Sequence, residues 1–286
     1  MALSRLTGDE LGIILGQLCN PLEPRLAVYF SSTCTELRAL LPPAVRQQLK
    51  ADYEVATALC VKMEMRSCEE LREATEVAWF RNDLSAADLA TLAMLGSVLP
   101  ALEGLGLSEY SGSAGLDGVP RLAEGLAAGA LPAVTCLGIY GMHVGDAGAS
   151  ALAAALGRGA LPQLKRLVLF SAAIGDAGLV ALAPALRLRP ALATLRLGDN
   201  SFGDEGLAAL LAPPPPAGTA PPPAGGLKKL EELCLEDTKI TDAGCAALVV
   251  ALDSGVLPAM VMLDLTCIPA SASAITSCAS AIVRRG

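Results

Sequence analysis

Leu161 to Leu186 reads LPQLKRLVLFSAAIGDAGLVALAPAL, and the organisation of the whole chain follows from this stretch. Leu164, Leu167 and Leu169 stand in the pattern L-x-x-L-x-L, in which alternate side chains of a short strand turn to one side and those between them to the other. Gly175 and Asp176 come next, then Leu179, Leu182, Ala183 and Leu186 at helical spacing. Aspartate is a preferred N-cap, so Asp176 is expected to accept an otherwise orphaned N–H at the start of its own helix. A strand and a helix this short cannot bury their apolar faces alone. Such a unit is stable only when stacked on copies of itself.

The copies are present. With the first strand leucine as origin, units begin at Leu102, Val134, Leu164, Leu192, Leu230 and Met260, and the helix openings recur as VGDAG (144–148), IGDAG (174–178), FGDEG (202–206) and ITDAG (240–244). A degenerate first unit starts at Ala74, with Val77 and Trp79 as strand positions, Asn82 at the turn, and Ser85 with Asp88 as a capping box. That makes about seven units over 74–286. The L-x-x-L-x-L strand followed by I-G-D-x-G and an alanine/leucine helix resembles the ribonuclease-inhibitor type of leucine-rich repeat, shared by Ran GTPase-activating proteins and NOD-like receptors. The resemblance implies an α/β solenoid, a horseshoe with parallel strands on the concave face and helices on the convex face. The family usually places Asn three residues after the last strand leucine. Here those positions hold Tyr110, Met142, Ala172, Asn200, Thr238 and Ile268, so the other turns are expected to satisfy their backbone differently.

Ahead of the repeats, residues 1–43 read as a small all-α module and 44–73 as connecting helices. Leu11, Ile14, Leu15 and Leu18 share a helical face, Asn20 and Pro21 break it, and a second run takes in Leu26, Tyr29, Phe30, Leu37 and Leu40. In the connecting segment Val45, Leu49, Tyr53, Ala56, Leu59 and Met63 form one apolar face. The module also resembles an F-box, through Leu6, Asp9 with Glu10, Ile14 to Leu18, Pro21, and Cys34 with Leu37, although Thr7 stands where that family has proline and Leu37 where tryptophan is common. The resemblance implies docking of a ubiquitin-ligase linker protein on Leu11, Ile14, Leu18 and Pro21. The alternative is a helical cap over the open end of the solenoid.

Composition narrows the function classes. Of 286 residues 53% are hydrophobic but only 3% aromatic, which suits repeats packed on small side chains. The net charge of -8 argues against an electrostatic grip on nucleic acid or an anionic membrane. The N-terminus lacks the basic and apolar regions of a signal peptide, and no apolar run reaches the roughly 18 residues that span a bilayer. Nine cysteines without a C-x-x-C pair read as reduced thiols, so a cytoplasmic or nuclear protein is expected. The single histidine, His143, sits at a turn with no nucleophile motif, and no phosphate loop or metalloprotease motif occurs. The reading is therefore non-enzymatic, without metal or cofactor. A proline-rich insertion, 212–226, is either tolerated on a repeat edge or a ligand for a proline-binding module.

What remains is the exposed side of the strands. The column just after them holds Phe80, Ser108, Tyr140, Phe170, Gly198, Glu236 and Thr266, and Arg166 and Arg196 share that face. Phe80, Tyr140, Phe170, Arg166 and Arg196 are the candidate contacts for a protein partner, because aromatics and arginine concentrate at interfaces; local packing of the rings on the repeat edge is the alternative. Function on this reading is protein–protein interaction inside the cell, with substrate recognition for a cullin-type ubiquitin ligase if the F-box-like module works as its relatives do. A regulator of a small GTPase, after the Ran GTPase-activating proteins, is the other possibility.

Overall fold

The computed structural model describes residues 7–33, 41–80, 83–212 and 227–284. Leu6, Cys34, Leu37, Leu40, Asn82 and the proline-rich residues 213–226 lie outside them. Among the described residues four helices come first: α1 Gly8–Leu18, α2 Arg25–Ser32, α3 Pro43–Lys62 and α4 Cys68–Glu73. Seven strands then form one parallel sheet in chain order, β1 Glu76–Trp79, β2 Gly104–Ser108, β3 Cys136–Tyr140, β4 Arg166–Phe170, β5 Thr194–Arg196, β6 Glu232–Cys234 and β7 Met262–Asp264. Each strand leads into a helix: α5 Ala86–Leu95, α6 Gly118–Ala127, α7 Gly145–Gly157, α8 Asp176–Arg187, α9 Asp204–Leu211, α10 Asp242–Asp253 and α11 Ala272–Val283. The chain is an α/β leucine-rich repeat solenoid preceded by a helical part.

The strand leucines do what their spacing demands. Leu105, Leu137, Leu167, Leu195, Leu233 and Leu263 stand in register across β2 to β7, and all but the half-buried Leu263 are buried between sheet and helices. Each fully buried leucine contributes about 1.5–3 kcal/mol, and the helix residues at i, i+3 and i+4, such as Leu179, Leu182, Ala183 and Leu186 of α8, close the core from the other side. The chain leaves most strands through a left-handed residue just beyond the exposed column: Gly141, Ser171, Asp199, Asp237 and Cys267 all have φ between 51 and 65°.

The aspartates correct the expectation drawn from sequence. Asp176 is the first residue of α8, yet its Oδ1 accepts from the N–H groups of Gly203 (2.9 Å) and Gly206 (2.7 Å), at the start of α9. Asp146 likewise caps α8 through Gly175 (2.7 Å) and Gly178 (2.9 Å), Asp204 takes the Thr241 N–H ahead of α10, and Asp242 takes that of Ser271 ahead of α11. Each aspartate therefore caps the helix of the next repeat, and stacking and capping are one contact. The rule explains the last glycine of G-D-x-G as well. A Cβ at Gly178 would stand 2.5 Å from Asp146 Oδ1, and one at Gly206 3.0 Å from Asp176 Oδ1.

The helical part is continuous with the repeats. Leu22, Ala56, Leu59, Cys60, Met63, Cys68 and Leu71 belong to the same core as the strand leucines, whereas Leu15, Ala27, Leu41 and Leu49 form a small cluster of their own. Lys62 pairs with Asp88 at 2.5 Å, and Arg72 pairs with Glu23. On α3 the apolar face runs from Leu49 to Met63 as expected, but Val45 is exposed.

Candidate functional site

Alternation along the strands puts three residues of each on the concave side, and the parallel register lines them up in rows. The first row is Glu76, Gly104, Cys136, Arg166, Thr194, Glu232 and Met262; the second is Ala78, Gly106, Gly138, Val168, Arg196, Cys234 and Asp264. The third row is the column beyond the strands. It is held together by backbone bonds from Gly141 N to Phe170 O, Ser171 N to Gly198 O, Asp199 N to Glu236 O and Asp237 N to Thr266 O. Phe80, Tyr140, Phe170, Arg166 and Arg196 thus share one face.

Tyr140 and Phe170 are register partners, as expected, but the ring that Tyr140 meets is Phe80, two strands away. The centroids are 5.8 Å apart with planes at 72°, an edge-to-face pair. Glycines make this reach possible. The Tyr140 ring folds back over Gly138, where a Cβ would stand 2.6 Å from Cε2, and the Phe80 ring covers Gly106, where a Cβ would be 3.4 Å from Cζ. Phe80 remains 51% exposed, so the pair is an anchored aromatic surface rather than part of the core. Those glycines were missing from the sequence-level site. Their signal was a pair of side-chain-less residues at consecutive exposed strand positions, where strands otherwise avoid glycine.

Charge divides the face. Burial, with a smaller contribution from Cys136, pushes the Tyr140 phenol above its ordinary range, while Arg196 and Arg166 oppose the rise, so both guanidinium groups act on one hydroxyl. Arg196 Nε donates to Glu232 Oε1 at 2.5 Å. Arg166 is exposed and has no ion-pair partner among the described residues. Towards the C-terminal end stand Glu232, Glu236 and Asp264, the last bonded to the Thr266 N–H at 2.9 Å. Cys234, buried between them, has its thiol pushed up to about 12 by burial and then by the Glu236 charge, so it stays protonated.

The rims hold the turns. Asn200 is buried; its Oδ1 accepts from Ala172 (3.2 Å) and Ile174 (3.0 Å), and its Nδ2 donates to the carbonyls of Leu169, Leu197 and Gly198. Where Asn is absent the chain improvises: Thr238 donates to Leu235 O at 2.7 Å, and the buried Glu109 gathers Ser111 and the Ala114 N–H. Burial works to raise the Glu109 carboxyl, but those bonds hold it below the usual range.

In the helical part, Leu11 is buried and Ile14, Leu18 and Pro21 are half-buried, with Leu18 packed on the module's own cluster. The most exposed large apolar groups of α1 and α2 are Ile13 and Tyr29, each 67% exposed. A cavity of about 560 Å³ between α2 and α3 is lined by Val28, Tyr29, Leu49 and Tyr53 together with Arg25, Arg46 and Lys50. Among the described residues no cluster of His, Cys, Asp or Glu is arranged to hold a metal, and no helix is long and apolar enough to cross a membrane.

The leucine-rich repeat family matches residues 161–183, 192–211 and 226–249. No curated protein matches the chain. Among solved structures, the chain is similar to the actin-binding site 2 of leiomodin-1, at 14% identity and a TM-score of 0.42 over 59% of this chain and 88% of that one. It is also similar to an internalin (inlF) from Listeria monocytogenes, at 12% identity and 0.32 over 81% and 94%, and to the Rad7 and Elc1 complex of yeast, at 13% and 0.37 over 84% and 75%. The recurring strand-and-helix unit, the seven-stranded parallel sheet and the family match over three repeats together show the leucine-rich repeat fold.

Proposed function

We propose that the chain is a non-enzymatic interaction protein that acts inside the cell and binds a protein partner on its concave face, centred on Phe80, Tyr140, Phe170, Arg166 and Arg196. The observation that carries this reading is the edge-to-face pair of Phe80 and Tyr140, spread over Gly106 and Gly138, with Phe80 51% exposed. Rings fixed in place before binding lose little freedom on contact, which is the property of an interface anchor. Eight described cysteines, all unpaired, fit a reducing compartment.

A second contact belongs to the same proposal. The helical part would dock the linker of a cullin-type ubiquitin ligase over Ile14, Leu18 and Pro21 on the α1 side, with Leu11 supporting them from within, and the chain would then hold a substrate for that ligase. The alternative, control of a small GTPase, differs in its readout, which is accelerated GTP hydrolysis.

Photo-crosslinking from position 80 in cells, followed by affinity measurement with the captured protein, tests the first part. Tyr140→Ala and Phe170→Ala should each weaken binding by about tenfold or more while the melting temperature stays nearly unchanged. Affinity within twofold of wild type would remove the concave face from consideration. For the second part, Ile14→Asp puts a charge among the docking residues at a half-buried position, with folding checked by circular dichroism; co-purification of a ligase linker that persists in the folded variant, or is absent in the wild type, would sink the adaptor reading.

A further inference from the structure

Glu236 stands in the third concave row, one strand beyond Gly198 and two beyond Phe170. Its side chain is half-buried. It lies back across Gly198, and a Cβ at that position would stand 2.4 Å from the carboxylate carbon. The carboxylate thus fills the place of the missing side chain, about one strand spacing, roughly 4.8 Å, from the Phe170 column position. Its Oε2 is buried and has no hydrogen-bond partner among the described residues. Arg196, on the same face, is bonded to Glu232.

A buried carboxylate oxygen without a donor is costly, since the oxygen has lost water and gained nothing. Beside it stands Phe170, half-buried, whose ring attracts cations within about 6 Å of its centre. Glu236 supplies full negative charge and Phe170 a π face, and Gly198 lets the carboxylate lie over its strand towards the ring. Glu232 and Asp264 add negative potential on the same side of the sheet. We infer that this part of the concave face receives a lysine or arginine side chain of the partner, with the cation pairing with the half-buried Glu236 carboxylate and lying against Phe170. The inference rests on the concave-face reading and adds the chemistry of the bound segment: a basic side chain flanked by residues that reach the aromatic pair Phe80 and Tyr140.

The test uses the whole chain and a defined probe, the capped tripeptide acetyl-Gly-Arg-Gly-amide, with acetyl-Gly-citrulline-Gly-amide as its uncharged counterpart. Titration followed by amide chemical shifts should give saturable changes at Phe170, Gly198 and Glu236 with the arginine peptide and not with the citrulline peptide. Glu236→Gln keeps the shape of the side chain and should weaken the arginine peptide by about tenfold or more, the worth of a charge-assisted hydrogen bond. Gly198→Ala, which displaces the carboxylate, should do the same, so the result does not hang on one variant. Equal response to both peptides, no saturable change, or a response that survives both substitutions would overturn the inference. A protein partner that is lost on Tyr140→Ala but indifferent to Glu236→Gln would also overturn it, while leaving the concave face as the interaction surface.

Discussion

Asp176 and Asn200 both hold backbone groups of an adjacent repeat, but at different depths, and depth decides what each is worth. Asp176 serves two N–H groups at a partly exposed helix start, where water replaces a lost acceptor, so Asp176→Ala should cost about 1 kcal/mol in urea unfolding. Asn200 serves five groups in a buried turn, and Asn200→Ala should cost about 3 kcal/mol or more, because each abandoned group keeps its desolvation penalty. Equal losses would mean that the turn relaxes to admit water. The capping glycines give a sharper check through sign. In an ordinary helix Gly→Ala gains about 1 kcal/mol, whereas Gly244→Ala should destabilise, because the new methyl meets Asp204. The direction of the caps could not be read locally, since Asp at a helix start looks the same whether it serves its own helix or the next. The glycine in the first turn of four successive helices was the available sign that something from outside approaches there.

At the scale of elements, the junction between α3 and the first repeat is a salt bridge grafted onto a helix cap. Asp88 closes the capping box of α5 with Ser85 and also receives Lys62 from the end of α3. Burial works to raise its carboxyl, but the bonds from Lys62 and Ser85 prevail and hold it below the ordinary value. A depressed folded pKa contributes stability that is complete above the unfolded value, about 3.9, and is lost as pH falls through the lower folded value. Acid should therefore loosen this junction in particular. Trp79, the chain's one tryptophan, is buried in β1 and reports on it. As pH falls below about 4 the wild type should lose more stability, followed by Trp79 emission, than Asp88→Asn, which has no proton to take up at that site; parallel pH profiles would show that the bridge contributes nothing. The capping box itself was legible as Ser85 and Asp88 three residues apart, and so was the apolar face of α3. The partnership of Lys62 with Asp88 was not, because no local spacing connects a helix end to a cap 26 residues later. The pairing of Phe80 with Tyr140 escaped for the same reason, since the intervening strand offers Ser108, and its glycine at 106 matters only once a ring lies over it.

For the molecule as a whole, stability is close to a sum over repeats and the contacts between neighbours, so the ends are where it should fail first. The two ends are built differently. The N-terminal end is covered: Leu59, Cys60, Met63 and Leu71 of α3 and α4 extend the core beneath β1, and Lys62 and Arg72 add ionic ties. At the other end β7 has a single strand neighbour, Val261 and Met262 are exposed, and Leu263 is only half-buried. The line of aspartates stops there too, because Ala272 opens α11 where α8, α9 and α10 open with aspartate. Local opening in such an array should therefore begin with β7 and α11 and proceed inwards. Native-state hydrogen exchange should show the strongest protection in β3 to β5, close to it in β1 and β2, and a clear fall across residues 262–283. The unpaired carboxylate of Glu236 lies one repeat inside the weak end, so a basic segment bound there would tie β6 to β4 and slow exchange in the last two repeats. Exchange that is uniform along the sheet, or fastest in β1, would show that the helical part does not stabilise its end of the solenoid and that the aspartate line is not what holds the repeats in series.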